Sequence, residues 1–412
     1  MHLGELADVI CGPFGSAITN KDYQESGIPL IRITNISKDG YMDYSDIIYI
    51  SEELGNSLSR TQVSAGDIVI SQRGSLGQCA IVDDTFAKLN ISANIIAIKN
   101  PKGISAEFIR NYILSGVGQT LLERASSGQV QQKITTQDIA NLLIPTKCRE
   151  SKLTYIIESG YATYRSKIER ADKLLQDFEL EISKTYDLSC SQNSTLCYAV
   201  KRGQIDGVID VKRYTPRLKS VAAVRICDVC DVLDKKVNVA HLSTQIIDWI
   251  RIDDLPNQPL DIEEIRTQPA NEIEGTFFEV KEGDILVARL GPTILNQKIV
   301  MVRSLERTTI ASAEFLVLRC KKGYDAEAVM AVLKTKYYRD LMYSHARGST
   351  PSRYRLNKED MLKLPFPDIS GRQEQIAAKA NDIRNQVKSM HIQAEENWNA
   401  AKERFEKELL GE

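Results

Sequence analysis

The stretch Lys152–Tyr186, KLTYIIESGYATYRSKIERADKLLQDFELEISKTY, decides the architecture of this chain. Its apolar positions recur at steps of three and four residues, close to the 3.5-residue period that makes helices supercoil. They are Leu153, Ile157, Gly160, Tyr164, Ile168, Ala171, Leu175, Phe178 and Ile182. A helix of about 35 residues is ~50 Å long. Such a helix is too long to be buried in one compact domain without a partner helix.

A second segment with the same periodicity closes the chain. Its apolar positions are Ile376, Ala380, Ile383, Val387, Met390, Ala394, Ala401 and Phe405. Two interpretations follow: a pair of amphipathic helices on a single core, or an antiparallel two-helix coiled coil that joins two globular units. We favour the coiled coil, because of the length of both segments.

The composition indicates a globular protein of two or three domains. The chain has 412 residues, 42% of them hydrophobic, and a formal net charge of −2. It contains no apolar run of the ~18 residues that a membrane span needs, and its first residues lack the build of a signal peptide. We therefore expect a cytoplasmic protein without a membrane partner, whose eight cysteines are reduced thiols. A polyanionic partner must be met by local basic surface.

The chain also contains an internal repeat, with an offset that drifts between 217 and 222 residues. The matches stay in order over the length of each half, which chance alignment does not explain. The matched segments are Leu6–Ile10 with Ile226–Cys230, Ile31–Ile36 with Ile250–Leu255, Gly66–Val69 with Gly283–Leu286, Ser92-Ala93 with Ser312-Ala313, and Asp138–Leu142 with Asp360–Leu364. The layout is therefore globule, helix, globule, helix.

This layout predicts an α+β (mixed α/β) protein with five segments. They are a first globular domain over 1–146, a long helix over 147–187, a connector over 188–219, a second globular domain over 220–368, and a second long helix over 369–412. Within the first globule, Ile28–Ile36 and Gly66–Ile70 are strand candidates and Ala106–Leu122 has helical spacing.

Catalytic and cofactor motifs are missing from the sequence. No Pro-Pro pair exists, which excludes the tetrapeptide of amino-methyltransferases, and no phosphate-binding loop is present. Cys227-x-x-Cys230 is the one tempting metal motif, but its repeat partners Ala7 and Ile10 favour buried strand positions over zinc. Matches to a nuclease cluster, such as Glu279-x-Lys281, are common by chance. We predict a non-catalytic chain without metal or cofactor.

Two pairs of polar loops carry the side chains that suit DNA. Residues 126–136 are rich in glutamine, and their counterpart in the repeat, residues 346–357, is rich in arginine. Residues 72–78 align with residues 289–298 in the same way. Amides and guanidiniums match the edges of adenine and guanine, and hydroxyls and lysines match phosphates. The alternative is a set of solvated turns. The candidate DNA-binding residues are Arg32, Gln72, Arg73, Ser75, Gln78, Gln129, Gln131, Gln132, Lys133, Arg251, Arg289, Gln297, Lys298, Arg347, Ser349, Ser352, Arg353 and Tyr354.

The duplicated order resembles the specificity subunit of Type I restriction–modification systems. Each half holds a Gly-Asp-Ile-(Val/Leu) turn, a polar glycine-bearing loop and a closing Leu-x-(Ile/Phe)-Pro, followed by a long helix. The resemblance implies two target recognition domains with strongly bent sheets, each of which reads half of a split DNA sequence. It also implies that the helices act as a spacer and dock two methyltransferase (modification) subunits, which bind S-adenosylmethionine, and that restriction translocase subunits join the complex.

Because the two halves have diverged, we expect an asymmetric bipartite target. Arg73 aligns with Leu290 in the repeat. A base contact inferred for this position in one half therefore does not apply to the other half. Two other functions remain open at this point: a recognition subunit of another DNA methyltransferase or phage-defence system, and a coiled-coil adaptor without a DNA role.

Overall fold

The computed structural model describes residues 1–73, 77–126, 133–146, 148–188, 224–239, 245–262 and 265–411. The chain divides into two units. Unit 1 consists of Met1–Ser166 and Gln393–Glu412, and unit 2 consists of Lys167–Ile392. The proposed connector over 188–219 lies almost entirely outside the described residues. None of the helices in the described ranges is long and apolar enough to cross a membrane.

The described residues of unit 1 form eight strands and five short helices. The strands are β1 (Asp8–Cys11), β2 (Ile28–Ile31), β3 (Ile48–Ile50), β4 (Gln62–Val63), β5 (Ile68–Ser71), β6 (Cys79–Ile81), β7 (Leu89–Ile91) and β8 (Ile95–Lys99). The helices are α1 (Leu3–Leu6), α2 (Glu52–Ser57), α3 (Ala106–Leu114), α4 (Gly116–Ala125) and α5 (Thr136–Ala140), and the long helix α6 (Glu150–Thr185) begins in this unit. The strands form two four-stranded sheets, in the orders β1-β8-β5-β6 and β3-β2-β7-β4.

Unit 2 repeats this arrangement. Its strands are β9 (Val224–Arg225), β10 (Cys230–Val232), β11 (Ile246–Ile250), β12 (Arg266–Pro269), β13 (Phe277–Glu279), β14 (Ile285–Ala288), β15 (Ile299–Met301), β16 (Thr309–Ser312), β17 (Phe315–Cys320) and β18 (Pro365–Phe366). Its helices are α7 (Ile226–Val229), α8 (Gly291–Leu295), α9 (Ala326–Leu333), α10 (Lys336–His345) and α11 (Lys358–Lys363), followed by the long helix α12 (Gln373–Leu410). The sheet orders β10-β17-β14-β15 and β12-β11-β16-β13 match those of unit 1.

The central strands β5 and β14 are buried on both faces, which explains their continuous apolar sequences. Successive strand residues point to opposite sides. Ile68 and Ile70 therefore pack among the helices of unit 1, whereas Val69 packs toward the second sheet. In unit 2, Ile285 and Leu286 divide between two cores in the same way.

The repeated Gly-Asp turn has a structural role. Gly66 and Gly283 have φ angles of 90° and 84°, which glycine adopts without steric cost. The following aspartates accept a backbone hydrogen bond from three residues earlier, Asp67 from Ser64 N–H at 3.0 Å and Asp284 from Lys281 N–H at 2.8 Å. Both carboxylates are nearly buried, so they fix the entry into the central strand.

The start of each globule pairs with its end. In unit 1, Leu3 N–H donates to Leu142 O at 2.9 Å, and in unit 2, Ile226 N–H donates to Leu364 O at 3.0 Å. The closing Leu-x-(Ile/Phe)-Pro segments thus close each globule before its long helix begins. This pairing holds the two ends of each repeat together.

These contacts shift the alignment of the first matched segment, Leu6–Ile10 with Ile226–Cys230, by three residues. Val9 pairs with Ile98, and the equivalent strand position in unit 2, opposite Leu318, is Val232 rather than Val229. The ambiguity lies in the tandem Cys-Asp-Val of residues 227–232, which matches Ala7-Asp8-Val9 in either register. The proposed repeat partners of Cys227 and Cys230, Ala7 and Ile10, were therefore wrong.

Helical spacing over 106–122 correctly indicated helix but not its interruption. Two helices, α3 and α4, meet at Ser115, whose Oγ accepts from Gly118 N–H at 3.2 Å. A Cβ at Gly118 would lie 2.0 Å from Tyr112 O. The close approach of the two helices therefore requires glycine there.

The α+β fold class is confirmed, as are the two long helices. In unit 1, α6 and α12 run antiparallel: Lys152 bonds Glu408, and Tyr164 lies against Trp398. In unit 2, Glu181 bonds Lys379, and Ala171 packs with Ile383 and Val387. In both units, residues later in α6 contact residues earlier in α12, as antiparallel helices do.

Candidate nucleic-acid interface

One end of the β1-β8-β5-β6 sheet of unit 1 gathers the predicted polar loops. Strands β1 and β5 end there, at Cys11 and Ser71, opposite the beginning of β8. Gln72 N–H donates to Asn94 O at 2.9 Å, and Ile134 N–H donates to Gln72 O at 3.1 Å. Arg73 forms an antiparallel bridge with Lys133. The structure thus brings together two loops that are sixty residues apart in the sequence.

Unit 2 makes the equivalent contacts at the same end of its sheet. Arg289 N–H donates to Glu314 O at 3.1 Å, and Leu356 N–H donates to Arg289 O at 2.9 Å. Leu290 bridges Arg355 as Arg73 bridges Lys133. The matching contacts show that the two loop pairs are related by the internal repeat.

A narrow hairpin carries the arginine-rich loop of unit 2. Arg347 and Arg355 exchange backbone hydrogen bonds of 3.0 and 2.8 Å. A Cβ at Gly348 would lie 2.4 Å from Arg353 O, so the chain turns as tightly as only glycine permits. Ser349, Ser352 and Arg353 are exposed at the tip.

Carboxylates hold two of the three exposed arginines in this hairpin. Arg355 donates two hydrogen bonds to Glu314, at 3.1 and 3.0 Å. Arg347 donates to the nearly buried Asp360 at 3.0 Å. The Arg353 side chain makes no hydrogen bond or ion pair with the described residues, so its guanidinium is available to a ligand.

The remaining candidates in unit 2 have more enclosed settings. Tyr354 is half-buried, with its ring centroid 6.0 Å from that of Tyr343. The buried Nε of Arg289 has no hydrogen-bond partner among the described residues. Gln297 is 7% exposed, and its Nε2 donates to Lys334 O at 2.8 Å. Lys298 Nζ donates to Ile252 O at 3.1 Å.

In unit 1, Arg73 and Lys133 are the available cations of this end. Arg73 is exposed and Lys133 is half-buried, and neither side chain bonds another described residue. Gln72 is 7% exposed, and Gln78 donates its amide to Ile36 O. Both amides therefore support the loop.

Two further predicted arginines directly follow strands of the other sheets, β2 and β11, and form ion pairs. Arg32 contacts Asp46 at 2.9 Å, and Arg251 contacts Asp253 at 3.1 Å while lying over the Trp249 ring. The predicted residues Ser75, Gln129, Gln131 and Gln132 lie outside the described residues. All the candidates remain predictions.

Sequence reasoning missed Asn94 and Glu314, whose backbones join the two loops of each unit. They occupy equivalent positions, each just after a repeated Ser-Ala pair. The repeated Ser-Ala pair was the feature of the sequence that could have identified these two positions. Asn94 is uncharged and Glu314 is a carboxylate, whereas Lys133 and Arg355 are both cations, so the charge differs at only one member of the pair.

The described residues contain no group of three or more His, Cys, Asp or Glu side chains that could hold a metal ion. The thiol of Cys230 faces Cys320, with the sulfurs 3.3 Å apart. Cys227 lies in the short helix α7.

Known proteins share sequence with this chain. Residues 1–146 match the family model of the Type I restriction modification DNA specificity domain. A stretch of 122 residues is 29% identical to the specificity subunit of the Type I restriction enzyme EcoBI of Escherichia coli. The match covers 29% of this chain and 25% of that subunit.

Three solved chains are similar along most of their length. One belongs to a structure described as the basis of complex assembly and conformational transition of the type I R-M system, with 15% identity and a TM-score of 0.47 over 99% of this chain and 96% of that one. The Type I S subunit from M. genitalium has 11% identity and a TM-score of 0.40, over 99% and 94%. The HsdS subunit from Thermoanaerobacter tengcongensis has 14% identity and a TM-score of 0.35, over 99% and 95%.

The family match covers the domain that carries Arg73 and Lys133, and unit 2 repeats its sheet orders and loop contacts. The resemblance to Type I specificity subunits inferred from the sequence is confirmed for residues 1–146, which match the family model of the Type I restriction modification DNA specificity domain.

Proposed function

We propose that this chain is the DNA-recognition subunit of a Type I restriction–modification complex and that it reads an asymmetric bipartite target. The observation that carries the proposal is the equivalence of the loop contacts, Arg73 with Lys133 and Leu290 with Arg355. One duplicated scaffold presents different side chains at the same end of its sheet. Two such scaffolds on one chain suit two different half-sites.

The exposed cations suit the two components of DNA binding. The guanidiniums of Arg353 and Arg73 bond no other described residue, and each can form bidentate hydrogen bonds to O6 and N7 of guanine. Ser349, Ser352 and Lys133 suit phosphate contacts, which position a protein without reading sequence. Arg355 and Arg347 keep their carboxylate partners and so orient the hairpin.

Glu314 neutralises the charge of Arg355 at this surface, so the pair offers no net positive charge to attract phosphates. A carboxylate can also accept a hydrogen bond from cytosine N4. The half-site of unit 2 is therefore expected to depend on base edges more strongly than that of unit 1, where Asn94 is uncharged.

In this proposal the chain is not itself an enzyme. Two methyltransferase subunits dock on it, bind S-adenosylmethionine and flip the target adenine out of the duplex, and restriction translocase subunits join them. Because α6 and α12 each contribute to both units, their length sets the number of unread base pairs. Deleting seven residues from each helix should change that number and leave both half-sites unaltered; an unchanged spacer contradicts the ruler role.

Methylome sequencing of a host that carries this gene and its modification subunits tests the proposal. We expect methylated adenines in a target of two unlike half-sites separated by a fixed spacer. Fluorescence anisotropy of the reconstituted complex should show preference for that duplex over one with scrambled half-sites. Equal binding to both duplexes, or an undivided target, contradicts the proposal.

A further inference from the structure

Phe14 is the most exposed large hydrophobic side chain in the described part of the chain. It is 90% exposed, whereas the others range from 37% to 72%. Single exposed hydrophobic residues are common, so exposure alone assigns no role. The position of this phenylalanine in the fold does.

The segment Gly12-Pro13-Phe14-Gly15-Ser16 directly follows β1 and is held to the sheet at its first residue. Gly12 N–H donates to Ile95 O at 2.8 Å, and a Cβ at Gly12 would lie 2.0 Å from Ser92 O. Ala17 N–H donates to Phe14 O at 2.8 Å and closes a turn. The ring is therefore presented by an anchored turn.

This turn lies at the same sheet end as the candidate interface of unit 1. Cys11, at the end of β1, is 3.9 Å from the Gln72 amide through its sulfur. Gln72 in turn joins Asn94 and Ile134. A duplex that contacts Arg73 and Lys133 therefore comes within reach of the Phe14 turn.

Unit 2 has no equivalent aromatic residue. Counted onward from the matched strands β1 and β10, the position of Phe14 corresponds to Val237, which is half-buried and pairs with Phe277 through backbone hydrogen bonds of 2.8 and 3.0 Å. Lys235 and Lys236 precede it and are exposed. After this strand the duplicated scaffold thus carries an apolar ring in unit 1 and two cations in unit 2.

We propose that Phe14 inserts between base pairs of the half-site read by unit 1 and unstacks that step. Apolar side chains of DNA-binding proteins, phenylalanine among them, act as wedges in this way, and every base offers a face on which an aromatic ring can stack. The neighbouring Lys133 holds the DNA backbone near the turn. The inference rests on the proposed function and adds to it a specificity that depends on how easily one base step deforms.

The test uses the full chain in complex with its modification subunits. Duplexes carry 2-aminopurine at successive positions of the first half-site, the methylated adenine excepted, because that base is flipped by the partner. With the unaltered chain we expect a several-fold rise in fluorescence at one step. Phe14→Ala should abolish the rise and Phe14→Trp should retain it.

Leu143→Ala removes another exposed apolar side chain of unit 1, 56% exposed, and should leave the rise unchanged. A rise that persists in Phe14→Ala overturns the wedge. The wedge is also overturned if the affinity lost in Phe14→Ala is lost equally when a thymine of the half-site is replaced by uracil. That result indicates that Phe14 contacts the thymine methyl group instead. If the unaltered complex shows no preference for its target, the proposed function itself fails.

Discussion

Units 1 and 2 share their sheet orders and loop contacts but attach to the long helices by different interactions. In unit 1 the attachment is largely aromatic: Tyr41 stacks on Tyr161 with centroids 3.5 Å apart, and Tyr161 contacts Trp398 at 5.6 Å. The buried guanidinium of Arg110 lies over the Tyr41 ring and bonds Glu158. The Arg110 guanidinium is thus buried beneath the Tyr41 ring, whereas its partner carboxylate is 37% exposed.

In unit 2 a network of charged side chains makes the attachment. Glu327 of α9 bonds Arg303 at 2.6 Å and Arg384 of α12 at 2.8 Å, and Asp261 bonds Arg303 at 2.6 Å. A cavity of about 370 Å³ adjoins this network, and Glu327, Lys334 and Arg384 are among its lining residues. The comparison teaches that the duplicated scaffold preserves strand pairing while the helix attachment diverges freely, because pairing depends on backbone atoms that substitution leaves in place.

The largest expected effect comes from Glu327→Ala. The change leaves the guanidiniums of Arg303 and Arg384 without their main carboxylate, and breaking a buried ion pair costs about 3–5 kcal/mol. Urea unfolding measures it in a Trp398→Phe background, where Trp249 alone reports on unit 2. The control Glu306→Ala removes a carboxylate that is 86% exposed and should have little effect. Equal effects of the two changes contradict the network.

Gly160→Ala should destabilise unit 1 by about 1–3 kcal/mol through overpacking. A Cβ at Gly160 would lie 2.4 Å from the Ala401 Cβ on the paired helix, which outweighs alanine's better helix propensity of roughly 1 kcal/mol. Unfolding is followed by Trp398 in a Trp249→Phe background. The double change Gly160→Ala, Ala401→Gly should recover most of the loss. An unchanged or increased stability of the single variant refutes this close contact.

Arg73→Ala and Arg353→Ala compare the two candidate interfaces directly. Each should relax base preference in one half-site only, by ~1–3 kcal/mol for a lost bidentate contact, and each variant is the control for the other. Lysine at either position should restore affinity without restoring preference, because it lacks the planar fork of arginine. Competition binding with single-base variants of the target measures both. Uniform weakening on all sequences indicates phosphate contacts instead.

The smallest effect concerns pH. Burial lowers the pKa of Lys334 to about 8, partly opposed by the charges of Asp261 and Glu327. Between that value and the ordinary lysine pKa the unfolded chain binds the proton that the folded chain has lost, so this residue makes the free energy of unfolding rise with pH. Lys334→Met should flatten that rise between about pH 8 and 10 and leave the slope below pH 8 unchanged. Parallel pH profiles of the two proteins contradict the assignment.

Sequence patterns predicted the long helices to within a few residues, Lys152–Tyr186 against the observed Glu150–Thr185. Helical periodicity is a local property that many residues report together. The register of the first repeat block failed because Cys-Asp-Val occurs twice in succession, and only pairing with β17 distinguishes the two copies. The candidate loops were found by composition, but composition did not show that Gln72 and Gln297 are turned inward.

By itself the sequence determined that this protein is duplicated, that each half ends in a long helix, and that its polar loops diverge in charge. These properties follow from the periodicity of apolar residues and from the order of matching segments along the chain. Only the tertiary structure decided that Arg73 meets Lys133 and Leu290 meets Arg355, that carboxylates hold Arg347 and Arg355, and that Phe14 projects into solvent. Such contacts join residues far apart in the chain, and their partners are set by strand pairing and packing, which no local pattern specifies.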